Sequence, residues 1–223
     1  MQHEFWHNKW QKNEIGFHLS AVNPLLIKHF STLKLESNSR IFLPLCGKTL
    51  DIHWLLAQAY RVTGVELSSI AVAALFDELK LKPSISNIGK LKRYSATNID
   101  IFNGDIFALS AELLGKVDIV YDRAALVALP PEMRSHYTYH LMHLTNKAPQ
   151  LLICFMYDQT QLFGPPFSIS EKELNQHYHQ VFTLNLLESV EVTGGLKNIV
   201  PAQEQIWSLT QKKITLSKKI RSI

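Results

Sequence analysis

Apolar residues recur along this chain in two alternating rhythms. Short, mostly apolar runs occupy residues 40–45 (RIFLPL), 117–121 (VDIVY) and 151–157 (LLICFMY), and each reads as a strand buried on both faces. Residues 61–67 (RVTGVEL) form another, and 98–103 (NIDIFN) alternates apolar with polar positions as a strand does. Between these runs lie helical patterns at 51–60, at the IAVAALFDEL segment that Ser68 can cap, and at 131–144 behind the Pro130-Pro131 break. Strands alternating with helices predict an α/β sheet with helices on both faces. The less regular stretch 82–97 has room for one extra short strand at LKRYS.

The two ends depart from that rhythm. The first 35 residues read as two helices, one over 3–14 bearing Phe5, Trp6 and Trp10, and a second opened by Asn23 as cap and Pro24 at the first helical position. Towards the other end, Gly164-Pro165-Pro166 marks a loop over 158–167, and Ser170 followed by Glu173 has capping-box spacing. Residues 182–192 and 203–211 then read as two strands joined through Gly194-Gly195 with no helix between, so they must pair antiparallel. No repeat or linker divides the chain. The expectation is one domain over 1–211, followed by a short basic tail at 212–223.

Composition narrows the class. Of 223 residues, 46% are hydrophobic and 19% charged, which suits a folded domain rather than a disordered chain. The net charge of +4 permits a basic patch without calling for nucleic acid, since phosphate binding needs clustered cations. No run approaches the roughly 20 apolar residues that a membrane-crossing helix needs. The charged, aromatic start MQHEFWHNKWQKNE is not a secretory signal, and two cysteines, Cys46 and Cys154, make no disulfide framework. A cytoplasmic monomer without membrane or nucleic-acid partners is the expectation.

Sheets of this kind bind ligands beyond the carboxyl ends of their strands. The first strand ends in LPLCGKTLD and the second at Glu66, with Gly47 and Glu66 19 positions apart. That is near the spacing of about 20 between a glycine turn and an acid that accepts from ribose hydroxyls. An acid merely closing a buried strand at the surface is an equally good reading of Glu66 alone. The turn discriminates further. A pyrophosphate needs several exposed amides, usually supplied by glycines, and LPLCGK has one glycine and a proline. A phosphate-free nucleoside fits such a turn better than NAD does.

The strings RIFLPLCGKTLDIHWL, VTGVELS, DIF, VDIVYDRAALVALPPEMR and YDQTQLFGPPFSIS, with Trp6, Trp10, Phe17 and His18 ahead of them, resemble the thiopurine S-methyltransferase family of bacterial type. The blocks run in the family's order over about residues 5 to 211. The resemblance implies the Rossmann-like class I methyltransferase fold, a seven-stranded, mostly parallel sheet with a C-terminal antiparallel hairpin strand. It implies S-adenosylmethionine as methyl donor, S-adenosylhomocysteine as product, and a small thiol, thiopurine, selenium or tellurium acceptor. It also implies that residues 1–35 form a lid in which Trp10 and Phe17 close over the donor. Leu45 would present backbone beside the methionine portion, Glu66 would bind the ribose, Asp105 and Ile106 would flank the adenine, and Arg123 would stand at the mouth. These residue types suit the roles. A sulfonium favours aromatic faces, and an indole N–H can only donate.

Methyl transfer from a sulfonium is an in-line displacement governed by approach. A sulfur partly ionised near neutral pH needs no dedicated base, so no essential catalytic acid or base is expected, and Arg123 is the candidate for orienting an anionic acceptor. An oxygen or nitrogen acceptor, or a non-catalytic cofactor- or RNA-binding role, are the competing readings. Trp6 and Trp10 could otherwise be one packed helix face, and Asp122 with Arg123 an ordinary ion pair. His136, His140 and His143 share a helix face, but no metal is expected there, because no Cys or acid completes a set. Cys46 reads as a small packing residue rather than a reactive thiol.

Overall fold

The computed structural model describes residues 3–213, so the tail reading beyond Lys213 lies outside the described residues. The chain opens with α1 (His3–Gln11) and α2 (Pro24–His29), the second continued by a 3-10 turn to Leu33. The body then runs β1 (Arg40–Pro44), α3 (Leu50–Ala57), β2 (Arg61–Glu66) and α4 (Ser69–Glu78). Next come β3 (Ser84–Ile88), β4 (Leu91–Ala96), β5 (Ile99–Asn103), α5 (Ala111–Leu114) and β6 (Ile119–Arg123). It closes with α6 (Pro131–Leu144), β7 (Gln150–Tyr157), α7 (Glu171–Tyr178), β8 (Phe182–Glu191) and β9 (Ala202–Gln211). Several caps are those written in the sequence. The Asn23 carboxamide accepts from Leu25 and Leu26, Ser68 accepts from Ala71, and Ser170 accepts from Glu173.

All strands join one nine-stranded sheet in the order β3-β4-β5-β2-β1-β6-β7-β9-β8. Its centre, β5-β2-β1-β6-β7, is parallel, as the βαβ rhythm requires. The seven strands expected become nine. The stretch 82–97 folds into an antiparallel hairpin, β3 with β4, laid against β5. β3 (SISNI) lies at the sheet edge with both faces largely exposed, so it needs no apolar stripe, and periodicity could not reveal it. At the other edge β8 and β9 pair antiparallel, with a register shift between Leu186 and Glu188.

Two apolar layers sandwich the sheet. Phe42, Val65, Phe102 and Val120 face one side with α6 and α7. Ile41, Leu43, Val62 and Ile101 face the other with α2, α3 and α4. Residues i and i+1 of each central strand thus serve opposite layers, which is why these strands read as unbroken apolar runs.

Candidate active site

Strand order turns between β1 and β6, whose chain connections leave towards opposite edges of the sheet, and their carboxyl ends bound the cleft. Both ends leave the sheet through non-glycine residues in the left-handed region, Leu45 at φ 47° and Ala124 at φ 65°. Such a conformation costs about 1–2 kcal/mol per L-residue and persists where its surroundings fix it. Leu45 rests on the apolar layer beneath α6, which leaves its backbone at the strand end. Gly47, also at positive φ (54°), lies under the Trp10 ring, so that a Cβ there would come within 3.3 Å of it.

Glu66 ends β2 with 6% of its surface exposed. One carboxylate oxygen accepts from the Gly47 amide at 2.8 Å, the other from the Ser68 amide at 2.7 Å. Burial pushes the carboxyl up from its ordinary value, and these amides oppose the shift. Each oxygen retains a further lone pair, which is what a vicinal diol requires. The Cys46 thiol is buried beside Gly64, where a Cβ would stand 2.7 Å from its sulfur. Burial, and then the Glu66 charge, push that thiol well up, which suits packing rather than reactivity.

The N-terminal segment spans the cleft and touches three strand ends. His3 Nε2 lies 3.1 Å from Asp105 Oδ2 in the turn after β5. Trp10, 7% exposed, covers the turn after β1. The Phe17 carbonyl accepts from Arg123 Nη1 at 3.3 Å, at the end of β6. Phe17 also meets Trp6 and Trp10 edge-on, both at 5.6 Å between centroids. This aromatic cluster is more than a helix face packed on a core, since it joins α1 to the loop behind it.

Trp10, Phe17, Leu45, Glu66 and Arg123 are therefore brought together at the carboxyl ends of β1, β2 and β6. Asp105 lies in the turn after β5, where its carboxylate also caps the next turn through the Phe107 amide at 3.0 Å. The Ile106 side chain goes elsewhere. It is 1% exposed in the core, and its carbonyl meets His140 Nε2 at 2.9 Å. His136 stacks on Phe107 with centroids 4.3 Å apart, so two of the three helical histidines brace this turn.

Asp122 and Arg123 form no ion pair with each other, because neighbouring strand residues point to opposite faces. Asp122 is fully buried, accepts from the Tyr137 hydroxyl at 2.7 Å and the Leu126 amide at 3.1 Å, and burial pushes its carboxyl up to about 6. On the Arg123 face runs a polar chain that sequence reasoning missed. Tyr121 donates to Asp51 Oδ2 at 2.9 Å, the Asn23 amide donates to Asp51 Oδ1 at 2.8 Å, and Asn23 Nδ2 donates to Glu204 Oε1 at 3.1 Å. The one local signal was Asp51, an acid beside the buried Ile52 at the start of α3.

Two open depressions, of about 470 and 700 Å³, lie beside the β8–β9 turn and between α6 and α7. None of the cleft residues lines either. The cleft is identified by its position and chemistry, not by its size.

The model of the family described as Thiopurine S-methyltransferase (TPMT) matches residues 1–213. The chain belongs to that family. It is 50% identical over 210 residues to a thiopurine S-methyltransferase of Xanthobacter autotrophicus, covering 94% of this chain and 99% of the relative. It is 49% identical over 203 residues to one of Gluconobacter oxydans, covering 91% and 92%. Among solved structures, a 1,6-didemethyltoxoflavin-N1-methyltransferase of Burkholderia thailandensis, with S-adenosylhomocysteine bound, superposes with a TM-score of 0.63 at 15% identity, over 94% of this chain and 87% of that one. That likeness shows the Rossmann-like methyltransferase fold. As a family member the chain is an S-adenosylmethionine-dependent methyltransferase. Among the described residues no helix is long and apolar enough to cross a membrane.

Proposed function

We propose that this methyltransferase acts on the sulfur of thiopurines and related small thiols, or on comparably soft selenium and tellurium acceptors, in a cleft roofed by residues 3–22. One observation carries the reading. A single segment touches the ends of β1, β5 and β6, above a buried carboxylate with free acceptor capacity. The bound donor supplies a methyl group already activated on a sulfonium. Glu66 accepts from the ribose hydroxyls, and the amides of Gly47 and Ser68 hold its two oxygens in place. Asp105 and the backbone of Ile106 border the adenine, while the left-handed turn at Leu45 offers backbone to the methionine portion. Trp10 and Phe17 close the roof and exclude water. Arg123 spends one donor on the Phe17 carbonyl and keeps the remaining donors of its guanidinium for an anionic acceptor or the donor's carboxylate.

No side chain is required to take a proton. Asp122 has the acidity of a base useful near neutrality, yet both of its oxygens are engaged on the far face of the sheet. This arrangement favours an acceptor that arrives ionised, which sulfur does more readily than a hydroxyl. Two measurements test the reading. Calorimetry should detect S-adenosylhomocysteine binding and find none for NADH. Labelled S-adenosylmethionine should then pass its methyl to thiopurine, thiophenol, selenite-derived or tellurite-derived acceptors in preference to catechol or amine ones. Preferred transfer to oxygen or nitrogen would refute the acceptor assignment.

A further inference from the structure

Residues 3–22 reach the cleft from a fixed point, and that point is Asn23. It is fully buried, with three polar groups committed in different directions. Its side-chain oxygen caps α2 through the Leu25 amide at 2.9 Å and the Leu26 amide at 3.3 Å. Its backbone amide donates to Asp51 at the start of α3, and its carboxamide nitrogen donates to Glu204 on β9. Asp51 is in turn fixed by Tyr121, two residues before Arg123 on the same face of β6. One residue thus ties the exit of the roof to α3 through its backbone amide and to β9 through its side chain, and through Asp51 to β6. A cap alone needs only an oxygen, and Ser or Thr would serve it equally well. The carboxamide nitrogen has no part in capping. Its partner, Glu204, is a largely buried acid for which Arg123 is the cation acting on it, and burial pushes its carboxyl up.

We infer that Asn23 and Glu204 are positioning residues for the methyl-transfer site. Their hydrogen bond fixes where the roof leaves the body, and so places Trp10 over Gly47 and the Phe17 carbonyl on Arg123. The two residues touch neither donor nor acceptor in this scheme, which rests on the cleft proposed above. Losing their bond leaves the roof attached through α2 but free to swing at its root. The donor then meets an imperfectly closed site, and its affinity falls while the chemistry of a filled site is spared.

The test compares Asn23→Ser, Glu204→Ala and Glu204→Gln in the full chain. Ser keeps the α2 cap and loses the donor to Glu204. Gln keeps an oxygen for Asn23 and loses only the charge. S-adenosylhomocysteine affinity is read by calorimetry, and donor KM and kcat by turnover of whichever acceptor the panel identifies. Asn23→Ser and Glu204→Ala should each weaken binding and raise donor KM by about tenfold with kcat at saturation unchanged, as loss of one hydrogen bond to a charged group would. The double variant should be no worse than either single one, and Glu204→Gln should recover most of the loss. Unchanged binding in Asn23→Ser, multiplying losses in the double variant, or a Glu204→Gln as impaired as Glu204→Ala would each overturn the inference. If Asn23→Ser does not fold, the contrast between Glu204→Ala and Glu204→Gln decides alone. Wild-type protein that fails to bind S-adenosylhomocysteine would instead refute the cleft assignment on which the inference stands.

Discussion

The floor of this cleft and its roof are made in opposite ways. The floor is the parallel centre of the sheet, where Ile41, Phe42, Val65 and Ile101 are wholly buried between two apolar layers. The roof is residues 3–22, in which Trp10 is the one buried side chain of α1. It is held by edge-on rings, one hydrogen bond at 3.3 Å, and a His3–Asp105 contact whose side chains are 44% and 32% exposed. The floor therefore preorganises Glu66 and Arg123 at the level of global stability. On the proposed function, the roof should open at far lower free energy than the body unfolds, so that a ligand can enter beneath it.

The sharpest way to break this contrast is to remove one large ring from each part. Phe42→Ala should cost about 3–5 kcal/mol of global stability, because the cavity lies between packed layers. Trp10→Ala removes a larger ring, yet its urea midpoint should move by less than about 1 kcal/mol equivalent, since the roof opens before the body unfolds. Its loss should appear in donor binding instead. Equal stability losses in the two variants, read by circular dichroism, would mean that roof and floor unfold as one unit.

The floor should also show a pH signature of its own. Asp122 is raised to about 6 in the folded protein, against an ordinary value of 3.8. The folded state thus binds this proton more tightly than the unfolded chain does. Its contribution is most favourable below the unfolded value and is lost as pH rises through about 6. Over that window the difference amounts to about 3 kcal/mol, at about 1.4 kcal/mol per unit. Asp122→Asn should remove this component, so that the stability difference between variant and wild type shifts in the variant's favour from pH 4 to pH 7. A difference flat with pH would show that Asp122 is already ionised throughout.

How far these parts were legible from the sequence follows from the same contrast. Strands such as 40–45 and 151–157 were plain because burial on both faces demands unbroken apolar runs. Glu66 drew notice through its spacing of 19 from Gly47, and the structure joins the two by a hydrogen bond from the Gly47 amide. β3 was not visible, since an exposed edge strand needs no apolar stripe. The resemblance sets Ile106 beside the adenine, but residue type does not say which way a side chain turns, and here it turns into the core. The Asn23–Glu204 bond joins positions 181 apart in the chain, and no local pattern encodes such a contact.

Next in size is the pair at the end of β6, where the two faces of one strand can be separated. Arg123→Ala should lower kcat/KM for an anionic acceptor by about 100-fold, or about 2.7 kcal/mol. Asp122→Asn should change transfer far less, because it faces the other layer. Comparable and negligible effects in both would remove Arg123 from the acceptor's path.

The smallest expected effect concerns the outermost tie of the roof, His3 with Asp105. With a protonated imidazole, an exposed pair of this kind contributes little and is screened by salt. His3→Ala should raise donor KM by no more than about threefold at low ionic strength, with the difference vanishing in about 1 M salt. Asp105→Asn keeps an oxygen for the Phe107 amide and for an adenine amine, and loses only the charge facing His3. It should therefore copy His3→Ala at both ionic strengths. Asp105→Ala removes the cap and the acceptor as well, and its loss should survive in high salt. Should all three variants behave alike and lose their effect in salt, Asp105 would serve only to dock the roof, and recognition of the adenine would rest on the backbone of the turn.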